Sequence, residues 1–302
     1  MIRLLALLLL MLTGLSAAQA QDQGRFDEMQ ITASGAMPAT GITIWLPPGY
    51  DKGKQRYPVI YMHDAQNLFF PERSNFNKVW AADKSALRLI AAKKLSPFII
   101  VGINQPGEAR YAQYFPQGLY ESASPELRGK ITAMTKQPLY GDAYLRFLVT
   151  ELKPMVDRAY RTKKDRDHTA IAGSSMGGLI SCYTFTRYPN IFGRAACVST
   201  HWPLASPEDT AVHKDEIIKL WADEFLRGLG KPNGRRLWMD HGDQTLDAYY
   251  PPYQAEITQE IEKLGWRSNK DFVARFYPGT PHEENAWAAR MDDIFSWTLK
   301  GW

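Results

Sequence analysis

Short apolar runs of strand length recur along the chain, each closed by turn residues and separated from the next by ten or more residues with helical spacing. "GITIWLPPGYD" (41–51), "YPVIYMHD" (57–64), "PFIIVGI" (97–103), "HTAIAGS" (168–174), "RAACVST" (194–200), "RRLWMDHG" (235–242) and "DFVARFYPG" (271–279) read as strands. Amphipathic or mixed stretches at 79–95, 141–160, 176–188, 252–265 and 284–299 read as helices. Continuous apolar strands joined through helices bury both faces of their sheet, so the fold class is α/β, with a mostly parallel central sheet and helices on both sides. Such sheets carry their chemistry outside the carboxyl ends of the strands. Two connections at that edge are longer than usual, Asn104 to Tyr140 and His201 to Gly234, the second with its own helix in "HKDEIIKLWADEFLRGL".

The first twenty residues, "MIRLLALLLLMLTGLSAAQA", join one early charge, an apolar stretch from Leu4 to Leu15 and an A-x-A site before Gln21. This is the pattern of a secretory signal peptide, too short to span a membrane, so the mature chain is expected to be soluble and exported, periplasmic or extracellular. Residues 21–302 then form one α/β domain, and a hydrophobic content of 45% suits a large core. The net charge of +4 is dispersed, with no basic stripe of the kind nucleic acid requires, and no membrane partner is expected. The two cysteines, Cys182 and Cys197, lie in apolar surroundings and are read as buried thiols rather than a bridge.

In "HTAIAGSSMGGLISC" (168–182), Gly173 and Gly177 flank Ser175 at two residues' distance, giving GxSxG; the same test on Ser174 finds Ala172 and Met176. A strand precedes the motif and a helix follows it, the context of a strained strand-to-helix turn that presents a nucleophile. The turn also aims the Met176 N–H, at the positive end of the helix, toward a developing oxyanion.

A serine needs a base, and the base an acid to orient it, in the chain order Ser, Asp or Glu, His. His282, in "YPGTPHEENAW" after the last strand, has the required place. His213 falls in the inserted helix, and His201 precedes any strand able to carry the acid. The acid belongs after "RRLWMDHG", where Asp243 and Asp247 both qualify. "HEENA" fails as a zinc motif, because Ala286 stands where the second histidine belongs; neither metal nor cofactor is called for. The second oxyanion donor is expected from "HDAQNLF" (63–69), with Ala65 N–H the choice.

Taken together, "WLPPGYD", "YPVIYMHDAQNLF", "FLVTELKPMVDRAYRT", "AGSSMGG", "DHGDQTLDAYYPPYQ" and "HEENAW" resemble, in order and over nearly the whole mature chain, one esterase branch of the α/β-hydrolases. That branch includes esterase D and S-formylglutathione hydrolases, enterochelin esterases and feruloyl or acetylxylan esterases. The resemblance implies Ser175 as nucleophile, His282 as base, Met176 and Ala65 as oxyanion donors, and Asp247 in preference to Asp243 as the acid. Relatives usually carry glycine where this chain has Ala65, and alanine does not readily take a positive φ.

The implied activity is hydrolysis of a carboxylic ester through an acyl-enzyme, on a carbohydrate-linked, phenolic or siderophore ester. Acyl transfer, peptide hydrolysis and a non-catalytic binding role on the same scaffold stand as alternatives, and the oligomeric state is left open. Gln66, His201 and Trp202 are candidate substrate-binding residues. Tyr111, Tyr114, Phe115 and Tyr120 are further aromatic candidates for stacking on an acyl group or sugar.

Overall fold

The computed structural model describes residues 23–34 and 37–302. The expected signal peptide therefore lies outside the described residues. Among the described residues eight strands form a single sheet: β1 (Arg25–Ile31), β2 (Thr40–Leu46), β3 (Val59–His63), β4 (Ile99–Ile103), β5 (Thr169–Ser174), β6 (Arg194–Val198), β7 (Arg236–His241) and β8 (Phe272–Phe276). Their spatial order is β1-β2-β4-β3-β5-β6-β7-β8. From β4 to β8 neighbouring strands are parallel, whereas β1 with β2 and β2 with β4 are antiparallel.

β1 is an element the sequence reading did not anticipate. "RFDEMQI" is half-exposed and lacks the continuous apolar run of a central strand, because as an edge strand it has one neighbour and much of it meets solvent.

Side chains alternate between the two faces with the period of two that a pleated strand imposes. Val59 and Tyr61 of β3 join one core with Ile171, Leu179, Leu237 and Met239, while Ile60 and Met62 join the other with Ala170, Ala172, Trp238 and Phe295. Helices Ala82–Ala91 and Met291–Thr298 cover the second face, and helices Met176–Arg187 and Pro251–Lys263 contribute to the first.

The amphipathic stretch at 141–160 is helical, but it widens into a π segment at Leu148–Leu152 between α-helical turns Gly141–Phe147 and Lys153–Ala159. Pro154 supplies the reason: it has no N–H to donate, and its ring crowds the carbonyl four residues earlier. The long connection after β4 contains three short helices, Arg110–Tyr114, Gln117–Ser122 and Pro125–Thr135. Tyr114 and Phe115 are fully buried there, packing the core rather than facing a ligand.

The expectation of two thiols is corrected. Cys182, on the helix after β5, is bonded to Cys197 of β6, with Cα atoms 5.8 Å apart. Burial among apolar residues suits either state; the adjacency of helix and strand, absent from the linear sequence, permits the bridge.

Candidate active site

The tight turn after β5 has the conformation its glycines imply. Ser175 sits at φ 57°, ψ −123°, a region costly for a residue with a Cβ. A Cβ on Gly173 would lie 2.6 Å from the Gly177 backbone, so β5 and the helix approach as closely as they do because Gly173 lacks a side chain; one on Gly177 would lie 3.0 Å from Asp64 Oδ2, so Gly177 instead admits the loop after β3. Ser175 N–H donates to Val198 O (3.0 Å) and Ser175 O accepts from His201 N (3.2 Å), tying the turn to the end of β6.

Asp247 follows β7 in a short 3₁₀ turn, Thr245–Tyr249, and is fully buried. Its Oδ1 lies 2.6 Å from His282 Nδ1, and its Oδ2 accepts from Gly242 N (2.6 Å) and Ser199 Oγ (2.7 Å). Burial by itself raises the proton affinity of this carboxyl; the bonds to His282, Gly242 and Ser199, with the charge of His282, outweigh it and hold Asp247 below its ordinary value. Asp243 instead accepts from Gly279 N–H (2.8 Å), bracing the loop that leads to His282. Sequence spacing left these two aspartates open, and the fold brings Asp247 to the histidine. With Nδ1–H donated to Asp247, the neutral His282 ring carries its lone pair on Nε2.

Ser175 and His282 line one cavity of about 370 Å³ together with Asp64, Asn67, Phe76, Lys78, Gln105, Arg110, Ser174, Glu283, Glu284 and Trp287. Its walls combine charged and polar side chains with the aromatic rings of Phe76 and Trp287. Arg110 grips Asp64 with two parallel bonds of 2.7 and 2.8 Å, Lys78 pairs with Glu283, and Asn67 Nδ2 donates to Glu284 Oε1 (2.9 Å). Burial lowers the proton affinity of Arg110, but the charge and hydrogen bonds of Asp64 more than reverse this. Burial raises the Glu284 carboxyl above its ordinary value.

The backbone pose of Ala65 also differs from the concern its side chain raised. Asp64 takes the left-handed conformation (φ 58°), and Ala65 starts a 3₁₀ turn, Ala65–Asn67. The alanine methyl fits because Gly102 on β4 has no side chain; a Cβ there would lie 2.9 Å from Ala65 Cβ. Ala65 and Met176 are each the first residue of a helical turn, where a backbone N–H has no intrahelical acceptor.

The remaining candidates are placed away from the cavity wall. Gln66 Oε1 accepts from Gln105 N (3.3 Å) and so supports a lining residue instead. Trp202 is fully buried against Trp221, its indole donating to Gln254. Tyr111 donates to Leu204 O, and Tyr120 contacts Thr132. His201 is buried, with Nε2 2.9 Å from Ala205 O and Nδ1 2.9 Å from Tyr250 Oη.

A carbonyl only accepts, so His201 is the Nε2–H tautomer and its Nδ1 accepts from Tyr250. Burial lowers its pKa to about 4, which keeps it neutral. With its own hydrogen committed to His201, Tyr250 Oη is left as an acceptor, and the Ser175 side chain is among the groups that lower its proton affinity. The Tyr250 ring also stands edge-on to His282 at 5.7 Å.

Tyr250, Arg110 and Ser199 were missed as site residues because each reaches the site from a loop or helix carrying no motif. The one available signal was for Tyr250, which lies three residues beyond Asp247 in "TLDAYYPPYQ".

The family model described as "Putative esterase" matches residues 38–298. The chain belongs to this esterase family. It is an ester hydrolase, on an α/β-hydrolase scaffold. The esterase is 24% identical over 255 residues to "Uncharacterized protein YbbA" of Bacillus subtilis (strain 168), covering 84% of this chain and 90% of that one. It is 26% identical over 233 residues to the ferri-bacillibactin esterase BesA of the same organism, covering 73% and 71%. Among solved structures it resembles a ferulic acid esterase, with a TM-score of 0.65 at 20% identity over 92% of this chain and 98% of the other. Among the described residues no helix is long and apolar enough to cross a membrane.

Proposed function

We propose that the protein hydrolyses carboxylic esters through a covalent acyl-enzyme formed on Ser175. His282 Nε2 takes the serine proton as Oγ attacks the carbonyl. The N–H groups of Met176 and Ala65 hold the oxyanion; His282 then protonates the leaving alcohol and activates water for deacylation. Asp247 keeps the imidazole in the working tautomer and offsets its charge. The observation that carries this reading is the 2.6 Å bond between buried Asp247 and His282, beside a cavity that also exposes the strained Ser175.

The substrate we infer is a polar ester, carbohydrate-linked, phenolic or of siderophore type. The charged side chains of Asp64, Lys78, Arg110, Glu283 and Glu284 around the cavity suit a hydroxylated or charged substrate better than a long alkyl chain. The names borne by the relatives, a ferri-bacillibactin esterase and a ferulic acid esterase, agree with that class. Export through the leader at 1–20 belongs to the same proposal, and a mature protein beginning at Gln21 is its expected mark.

A fluorophosphonate probe tests the mechanism: it should label the wild type and leave Ser175→Ala unlabelled. Equal labelling of both proteins removes Ser175 as nucleophile. A panel of acetyl, feruloyl and long-chain esters tests the substrate class, and a preference for the long chains overturns it.

A further inference from the structure

We propose that Ser199 is a positioning residue for this reaction, a hydrogen-bond link through which the Arg290 guanidinium polarises the far side of Asp247. The proposal rests on the assignment of Asp247 and His282 given above.

Ser199 follows β6, is fully buried, and has φ +39°, a conformation that persists only where its surroundings enforce it. Its N–H lies 3.0 Å from Asp240 O and 3.1 Å from Asp240 Oδ1. Its hydroxyl touches three groups: Trp287 Nε1 (3.0 Å), Arg290 Nη2 (2.7 Å) and Asp247 Oδ2 (2.7 Å). An indole N–H and a guanidinium N–H only donate, so together they occupy both lone pairs of the oxygen. The single hydroxyl hydrogen then has one acceptor left, Asp247. Donation therefore runs from Arg290 to Ser199 to Asp247, while His282 donates to the other oxygen of Asp247 from the opposite side.

Arg290 is itself buried and held by Asp240 Oδ1 (2.8 Å), whose other oxygen accepts from Trp238 Nε1 (2.6 Å). The other ionisable groups facing Asp247 and His282 are Tyr250 and Asp240 on the Asp247 side, and on the His282 side His201, Glu284 and the cavity residues Lys78, Arg110 and Glu283. Arg290 is the cation of this set that reaches Asp247 through hydrogen bonds on the side away from the imidazole. Donors on Asp247 Oδ2 stabilise the carboxylate, so their loss raises the proton affinity of the Asp247–His282 pair.

The test measures kcat, KM and the pH dependence of kcat/KM for wild type, Ser199→Ala, Ser199→Gly and Asp247→Asn on one soluble ester. Ser199→Gly suits the positive φ and keeps the test available should the alanine variant fold poorly. For both Ser199 variants kcat should fall by about 10- to 100-fold, the scale of one hydrogen bond to a charged group. KM should stay near the wild-type value and the acid limb should move to higher pH. Wild-type kcat, or a reduced kcat with an unmoved acid limb, would mean that Ser199 only fills space and overturns the link. A wild-type kcat in Asp247→Asn would instead overturn the underlying assignment of the acid.

Discussion

Asp247 and His282, 35 residues apart in the chain, meet through a 2.6 Å bond between Oδ1 and Nδ1. Asp247 stands in the turn after β7 and His282 in the loop after β8, and the parallel pairing of these strands brings the two turns to the same end of the sheet. An isolated bridge between Gln244 and Pro281 continues that pairing into the loops, and His282 N–H donates to Thr245 Oγ1 (2.9 Å). The bond is thus a product of strand register.

Replacement of the two aspartates should separate their roles. Asp247→Asn is expected to lower kcat by roughly ten-thousandfold, and Ser175→Ala or His282→Ala by about a millionfold, by analogy with measured triads. Asp243→Asn should change kcat by no more than about tenfold, because that carboxylate braces the 279 loop and does not touch the imidazole. Steady-state kinetics on one ester decide it, and the reverse ranking contradicts the assignment.

Ser175→Gly should stabilise the fold while abolishing turnover. The serine holds a φ of 57° that glycine adopts without penalty, and relief of such strain is worth about 1–3 kcal/mol. Gly173→Ala should do the opposite, since its Cβ would fall 2.6 Å from the Gly177 backbone; overpacking of this kind costs about 1–3 kcal/mol. Urea denaturation of the two variants supplies both numbers.

Removal of the Cys182–Cys197 bridge lengthens the list of conformations open to the unfolded chain. For a sequence separation of 15 residues the chain-entropy argument predicts a loss of about 3 kcal/mol. Denaturation of Cys182→Ala/Cys197→Ala against oxidised wild type measures it, and an unchanged midpoint argues that the pair contributes nothing to stability.

Stability should also fall as the pH drops from about 6.5 toward 4, in part through His63 and His201. Burial lowers the pKa of each to about 4 in the folded protein; for His63 the charge of Asp64 offsets this only in part and Arg110 adds to it, and for His201 the neighbouring His282 and Arg110 add to it. Unfolded histidines titrate near 6.5. Between those values the unfolded chain binds more protons, so stability is present above about 6.5 and is lost as the solution is acidified. Replacement of both histidines by glutamine should reduce the number of protons taken up on unfolding at pH 5 by about two. The slope of melting temperature against pH reports that number, and an unaltered slope excludes these two residues as its source.

Local chemistry made a large part of this protein readable from its sequence. Gly173 and Gly177 announce the turn because a side chain at 173 would strike the helix and one at 177 the loop after β3, and the apolar runs of β3 to β7 announce a sheet covered on both faces because only burial permits them. Ser175 and His282 were identifiable through their order and their flanking elements. What stayed hidden depends on distances between residues far apart in the chain. The edge strand β1 has too little apolar character to stand out, and the bridge between Cys182 and Cys197 needs a helix packed against a strand. The resemblance already favoured Asp247 over Asp243, but its bond to His282, the Tyr250–His201 pair beside Ser175, and the Ser199–Arg290 contacts behind Asp247 arise only where separate loops converge at the carboxyl edge of the sheet. A hydrogen bond is decided within a few tenths of an ångström, and no spacing along a sequence carries that precision.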